Sequence, residues 1–587
     1  MTVESLDTIG LRRGVPQASD GLDHLRAYEE AVDELAAPLT EVVVVARAHA
    51  TALGNTFAER YPGATVHVLA GPWTPPPQGS GQEPLANVRV HPWSGKGDFG
   101  AIMSVLPHPQ LLVIALRRRT SGQVAALRKL HGYVQAGGVL AVEKIDRAPG
   151  DKTEADSGES VRDVIEEAVR RSPAPPAAHG WSSWLDALAY SLERVSYRGD
   201  LALVTKRYTL SRMLHATETV PVLEARYGES SPVTRLLVRP GSTFTGRAEV
   251  TSHGRGPDIT TGPFTVPVLE VRHYTEAQTC PRQLVSYGDY WLPDTFRHQH
   301  APRLRHAGLL RSSDDMAVIR PRWRPEQRRT WDGPLYYLDS EYPGHYGHVA
   351  TEVLSRLWGW ERAREEYPDI RPLVSVRPGQ SRVPQFVHDL FAAYGIPRSS
   401  IVTQYGDETL DVKNLVAADP QFENPSYVSP AIAETWRTIR DAFADVEPPV
   451  RADKIFITRG GRRLCRQGPA IEQFFAKHGF AIVRPEQYPY GEQVQLFARA
   501  RIIAGYGGSG MFTMMHAPQA RVILISGDRY RAQNEALIGA VNGNEMHYFW
   551  GRTIPQEPDR TKRRIAFGDD FTFNLTRHRW ALRRLFR

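Results

Sequence analysis

From residue 454 to residue 526 the sequence alternates strand-length apolar runs with helical stretches. KIFITRG (454–460), FAIVRPE (480–486), RIIAGYGG (501–508) and ARVILIS (520–526) carry the Ile, Val and Phe that favour strands. PAIEQFFAKHG (469–479), GEQVQLFARA (491–500) and GMFTMMHAP (510–518) lie between them and read as helices. Strands apolar on both faces must be covered on both, and parallel neighbours need a crossover that a helix supplies. The pattern predicts a doubly wound parallel sheet, whose ligand-binding turns gather at the carboxyl edge of the strands.

Similar alternation occurs upstream. Up to about residue 205, EVVVVARA (41–48), ATVHVLAG (64–71), QLLVIALR (110–117) and GGVLAVEK (137–144) read as strands, with a helix at TSGQVAALRKLHGYV (120–134). The polar stretches DKTEADSGESVRD (151–163) and SPAPPAA (172–178) read as exposed loops. From 206, short β-like pieces PVLEARYG (221–228) and RLLVRPG (235–241) precede strand GPLYYLDSE (333–341), helix 347–368, strand 371–379 and helix 383–395. The expected architecture is α/β, with a Rossmann-like domain at 1–205 and two Rossmann-like lobes, 206–450 and 451–587, facing across a cleft.

Several classes are excluded. No apolar run approaches the roughly 18 residues a membrane helix needs; 42–46 and 111–116 are the longest. The opening MTVESLDTIGLRRG has no apolar signal core, so a cytoplasmic location is expected. Two cysteines, Cys280 and Cys465, are too few for a disulfide framework or a zinc cluster. The net charge is +7, and only nine of the 72 basic residues are Lys. These are spread along the chain without a nucleic-acid-binding motif, so no nucleic-acid partner is expected. Arg does suit bidentate phosphate recognition, which focuses attention on where it meets the sheet edge.

Three constellations there carry chemistry. The turn Gly505-Tyr506-Gly507-Gly508-Ser509-Gly510 ends one strand and opens a helix. Such a turn lets backbone N–H groups approach a diphosphate, although a tight βα connection uses the same residues. Arg459 and Arg463 follow strand KIFIT and can reach the same crevice, or stand in a solvated Arg-rich loop. His348 and Glu352, four apart, lie one above the other at the start of helix 347–368, opposite Val349, Val353, Leu354, Leu357 and Trp358. A carboxylate so placed either deprotonates a hydroxyl, worth roughly 10²–10⁴-fold in rate, or complements the helix dipole. There is no Asp-x-Asp triplet, Walker loop, H-E-x-x-H or G-x-S-x-G, and His298, His300 and His306 read as loop polarity rather than metal ligands.

The first 205 residues resemble a class I methyltransferase in outline, LRKLHGYVQAGGVLAVEK being similar to a late strand of that fold. The cofactor loop is missing, since Ala46-Arg47-Ala48-His49-Ala50 stands where a G-x-G belongs. A degenerate, non-catalytic domain is expected.

From about 285 to 555, four motifs in order resemble glycosyltransferase family 61. They are Trp291-Leu292-Pro293-Asp294, YYLDSEYPGHYGHVATEVLSRLWGW, ITRGGRRLCRQ and HGFAIVRPEQYPYGEQVQLFARARIIAGYGGSGM. The resemblance implies a GT-B fold and inverting, metal-independent transfer of a hexosyl or pentosyl group from a nucleotide-sugar, of UDP type, to a hydroxyl of a polysaccharide or glycoconjugate. No cofactor beyond that co-substrate is implied. Glu352, paired with His348, becomes the base. Arg459, Arg463, Gly507, Gly508, Ser509 and Gly510 hold the leaving diphosphate, and Glu486 contacts the nucleoside. Two departures matter: Gly507 replaces a His of the family's phosphate turn, for which Tyr506 or His516 is the candidate substitute, and Arg466-Gln467 replaces an Asn-Glu pair. They keep open an inactive, transferase-like binding module. The basic, amphipathic tail NLTRHRWALRRLFR (574–587) reads either as a helix packed back on the other lobe or as a peripheral contact with a membrane face.

Overall fold

The Val- and Leu-rich runs of the N-terminal region assemble into one seven-stranded sheet because both of their faces are apolar. Its order is Val88–Pro92, Thr65–Ala70, Glu41–Ala46, Leu111–Ala115, Val139–Glu143, Leu201–Lys206, Leu192–Arg198. The first five are parallel, and Leu201–Lys206 runs antiparallel to both neighbours. Val42, Val43, Val44 and Val45 are completely buried, covered on alternate faces by two separate clusters of helix side chains. The computed structural model describes residues 4–15, 24–46, 49–71, 83–93, 98–116, 120–146, 159–172, 184–313, 315–320, 323–555 and 568–587. They form two units: Met1–Pro232 with Ser286–Thr295 and Ala301–Arg324, and Val233–Val285 with Phe296–His300 and Pro325–Arg587.

Two expectations in the first unit need correction. PVLEARYG is not β: it lies in helix Ala216–Tyr227, which buries Ala216, Val220 and Leu223 at helical spacing and is tied at its start by the His215 N–H donating to Glu218. The end of the polar stretch 151–163 is likewise helical, because Ser160 caps Val161–Arg171 in a reciprocal bond with Asp163. The rest of that stretch and residues 173–178 lie outside the described residues.

Beside two sheets of only two strands each, two larger ones run through the second unit. In one, Val402–Gln404, Arg371–Ser375, Gln327–Tyr337 and Glu408–Ala418 are parallel, and Leu269–Cys280 then pairs antiparallel with Glu408–Ala418 and with Val233–Arg239. In the other, six strands are parallel, in the order Glu249–His253, Glu545–Thr553, Arg521–Gly527, Ile502–Tyr506, Lys454–Ile457, Ala481–Val483, and Phe571–Thr572 pairs antiparallel with Glu545–Thr553. The last four of the six and their helices follow the 454–526 alternation, Glu545–Thr553 extends it, and the edge strand arrives from about two hundred residues upstream. Among the described residues no helix is long and apolar enough to cross a membrane.

The helix expected over 347–368 changes its hydrogen bonding along its length. An α-turn at Tyr346–His348 passes into a π-turn at Val349–Val353, a 3₁₀ stretch at Leu354–Gly359 and an α-helix at Trp360–Glu366. Side-chain hydroxyls compete for its carbonyls: Thr351 donates to Gly347 O (2.8 Å), Ser355 to Glu352 O (2.8 Å) and Tyr336 to Arg356 O (2.5 Å). Single π-turns of this kind concentrate at functional sites, and this one carries Glu352.

Candidate functional site

A cavity of about 470 Å³ opens at the carboxyl edge of the parallel sheet in the second unit. Arg459, Glu486, Tyr506, Ser509 and Gly510 all line it, so residues from three βα connections meet there. Phe386, Tyr488, Pro489 and Tyr490 give it an aromatic wall, with Gln385, Asp389 and Gln493 as polar groups among them. Apolar walls bearing a few convergent polar groups are the usual make-up of a small-molecule site. Glu486 stands at the rim in the turn Pro485–Gln487, its side chain largely exposed.

The glycine turn is built for close approach. Gly508 has φ +143°, and a Cβ there would lie 2.9 Å from Arg463 Nη2 and 3.0 Å from Arg459 Nη1. Arg459 donates to Gly507 O at 2.8 Å, while its buried Nε has no hydrogen-bond partner. Burial and the like charge of Arg463 pull the Arg459 guanidinium down to about 10. Two cations crowded against one glycine turn are relieved by an anion. The two backbone N–H groups behind the turn are already engaged: Gly507 donates to Ile525 O (3.1 Å) and Gly508 to Glu535 Oε1 (2.8 Å). Glu535 is fully buried, takes a second hydrogen bond from Tyr530, and has its carboxyl pushed up by burial.

A Cβ at Gly507 would lie 3.0 Å from both Ser526 Oγ and Tyr530 Cε1, so the turn leaves no room for a side chain at this position. Tyr530 therefore fills the space beside this position, and sequence reading missed it. Both proposed substitutes are buried. His516 is buried between the Tyr490 hydroxyl (3.2 Å) and Trp436 O (3.1 Å), and burial pushes its imidazole down to about 3. Tyr506 is buried with its hydroxyl 3.4 Å from Gly468 O. Gln467 has a structural task, accepting the Phe573 N–H at 2.8 Å.

His348 and Glu352 meet as their spacing predicts, His348 Nδ1 lying 2.7 Å from Glu352 Oε1. Arg297, 55 residues upstream, donates to the same oxygen at 2.8 Å, and the Ser340 hydroxyl lies 3.4 Å from Oε2. Burial alone would raise the Glu352 carboxyl, but Arg297 and His348 outweigh it and pull it down to about 2. An ionised Glu352 accepts the Nδ1 proton and leaves His348 Nε2 as the lone-pair nitrogen. The imidazole is stacked on Tyr342 at 4.4 Å between ring centres. The turn before it abuts the glycine turn: a Cβ on Gly347 would lie 2.9 Å from Ser509 Cβ, and the Tyr346 and Thr513 hydroxyls are 2.6 Å apart. Tyr346 lines the cavity, and His348 and Glu352 follow it on the same helix, outside the lining itself.

The histidines 298, 300 and 306 do not converge. His298 faces Glu423 (3.7 Å), His300 faces Asp419 (3.8 Å), and His306 packs edge-on against Trp323. Among the described residues no group of three or more His, Cys, Asp or Glu side chains is arranged to hold a metal ion.

Residues 346–524 match the family model described as Glycosyltransferase 61, a span that contains His348, Glu352, both arginines and the glycine turn. The match supports a glycosyltransferase. No curated protein matches the chain. Among solved structures, the chain is similar to the MycE methyltransferase from the mycinamycin biosynthetic pathway in complex with Mg, SAH and mycinamycin VI. Identity is 11%, the TM-score 0.28, and the match covers 35% of this chain and 54% of that one. A second crystal structure of that enzyme, with Mg and SAH, gives 11% identity, a TM-score of 0.29 and coverage of 35% and 55%. The chain spans about half the length of these structures.

Proposed function

We propose that the second unit is an inverting, metal-independent glycosyltransferase of GT-B type, taking a sugar from a nucleotide-sugar of UDP type to a hydroxyl of a glycan or glycoconjugate. The observation that carries this reading is the contact of Gly347 with Ser509, which joins a His–carboxylate pair to a glycine turn flanked by two arginines. In this reading the nucleoside occupies the aromatic wall near Glu486, and the diphosphate sits between Arg459, Arg463 and the N–H groups of Ser509 and Gly510.

The roles within the pair are reversed from the sequence expectation. A carboxylate held at about 2 is too weakly basic to take a hydroxyl proton near neutrality. His348 Nε2 accepts that proton, and Glu352, fixed by Arg297, orients and stabilises the imidazolium. The acceptor oxygen attacks the anomeric carbon as the bond to the diphosphate breaks on the opposite face, and the diphosphate leaves with the electron pair. The first unit is non-catalytic in this scheme.

The engaged N–H of Gly508 favours a second reading, a binding module that holds a nucleotide without turnover. The two are separated by incubating the full chain with UDP-, GDP- and CMP-sugars without added metal and measuring transfer and donor hydrolysis. Release of free nucleotide from one donor supports the transferase. A thermal shift with that nucleotide and no release supports the binding module, and neither a shift nor release overturns both.

A further inference from the structure

The terminal helix Leu575–Leu585 has two faces of opposite chemistry. Inward, Leu582 and the following Phe586 are buried against Phe474, Phe475 and Phe480. His578 stacks on Phe573 with ring centres 5.0 Å apart. The expected packing was on the other lobe; these contacts lie within the helix's own C-terminal lobe, and they fix which residues point away. Arg577, Arg579, Trp580, Arg583 and Arg584 are all exposed. Residues 574–587 contain five arginines and no Asp or Glu, whereas solvated helices ordinarily intersperse both signs of charge. The C-terminal carbonyls do not account for this excess, because Arg521, from a neighbouring strand, already donates to Leu585 O at 2.9 Å.

Trp580 is the second anomaly. At 70% exposure it is the most exposed large apolar side chain among the described residues, and it sits inside the cationic row with its ring 4.7 Å from the Arg584 guanidinium. An indole held in water on a rigid helix forgoes the burial that usually decides where Trp goes. Flanked by arginines, it has the composition of a side chain that settles at the boundary between headgroups and acyl chains while its neighbours reach phosphates.

We propose that this helix face docks the protein on an anionic lipid surface, Trp580 entering the headgroup boundary and the arginines pairing with lipid phosphates. Charge complementarity argues for the occupant: an anionic surface meets a row of exposed arginines in a segment, 574–587, that contains no Asp or Glu. A nucleic acid, the other polyanion, calls for a groove with several stacking aromatics, and this face presents one indole on a convex helix. The proposal does not depend on the transferase reading.

The test is cosedimentation of the full chain with vesicles of phosphatidylcholine alone and of phosphatidylcholine mixed with phosphatidylglycerol. Binding is expected only to the mixed vesicles, weakening as salt rises. Trp580→Ala and the double reversal Arg579→Glu/Arg583→Glu are expected to lower it by about tenfold or more. The reversal Arg170→Glu, in the first unit, is expected to leave it unchanged. Bromine-labelled lipid should quench indole fluorescence in the parent and not in Trp580→Phe. All these side chains are exposed, so unchanged thermal transitions accompany the expected result. No binding, equal binding to both vesicles, insensitivity to the helix variants, or tighter capture by a single-stranded oligonucleotide than by vesicles overturns the proposal.

Discussion

At the scale of single residues, the carboxylate of Glu352 shows how neighbours outweigh burial. A buried carboxyl alone would be drawn towards neutrality, yet one guanidinium and one imidazole on the same oxygen hold it ionised. If His348 is the proton acceptor, His348→Ala lowers kcat by roughly 10²–10⁴-fold and leaves the donor KM unchanged. An acid limb near pH 2 in the profile of kcat/KM would return the role of base to Glu352. Arg459→Ala and Gly508→Ala act on the other side of the reaction. The first removes a cation from the turn, and the second drives a methyl into both guanidinium groups, so each raises the donor KM about tenfold or more with a smaller change in kcat. Isothermal titration with the free nucleotide checks this, and unaltered affinity in both variants would remove the turn from the donor site. The spacing of His348 and Glu352 was legible because helical periodicity brings i and i+4 together. Arg297, Tyr530 and Glu535 were not, because nothing in their local sequence says which distant group they meet.

At the scale of elements, the last strand residue of the N-terminal sheet carries a testable cost. Lys206 is fully buried, its ammonium bonded to the Ser191 hydroxyl, and burial pushes its amine down to about 7. Below that pH the amine is charged in both folded and unfolded chains, and the folded state bears the full desolvation penalty. Between about 7 and the ordinary 10.5 the unfolded chain holds more protons, so stability rises with pH; above 10.5 the penalty is gone. Lys206→Met is therefore expected to raise the melting temperature of the first unit at pH 6, by about 2–4 °C for each kcal/mol recovered, with the advantage fading by pH 10.5. Calorimetry across that range checks it, and a pH-independent difference would show that packing, not charge, governs the site. Residues 161–163 at the end of the polar stretch, and PVLEARYG, were misread for related reasons. Capping by Ser160 and the His215–Glu218 bond commits a short polar or mixed segment to helix, and their apolar residues are too few to show a period.

At the scale of the whole molecule, a nucleotide that occupies the cavity stabilises the second unit alone. At about 100 times its dissociation constant it contributes roughly 2.7 kcal/mol, and calorimetry should show one transition moving while the other stays. Adenosyl-methionine is expected to move neither, since Ala46, Ala48 and Ala50 stand where glycines would be needed. A shift with adenosyl-methionine would restore a methyltransferase role to the first unit. The sequence alone determined the alternation of strands and helices, the parallel sheet with the turn Gly505–Gly510 at its carboxyl edge, and the pairing of His348 with Glu352. All of these follow from periodicities set by backbone hydrogen bonding within a few residues. Only the tertiary structure decided that Glu249–His253 completes a sheet whose other strands begin at residue 454. It also decided that Arg297 fixes the acidity of Glu352, and that Gly347 touches Ser509. Those contacts join segments tens to hundreds of residues apart, and their energy comes from burial and charge pairing that exist only once the chain has closed on itself.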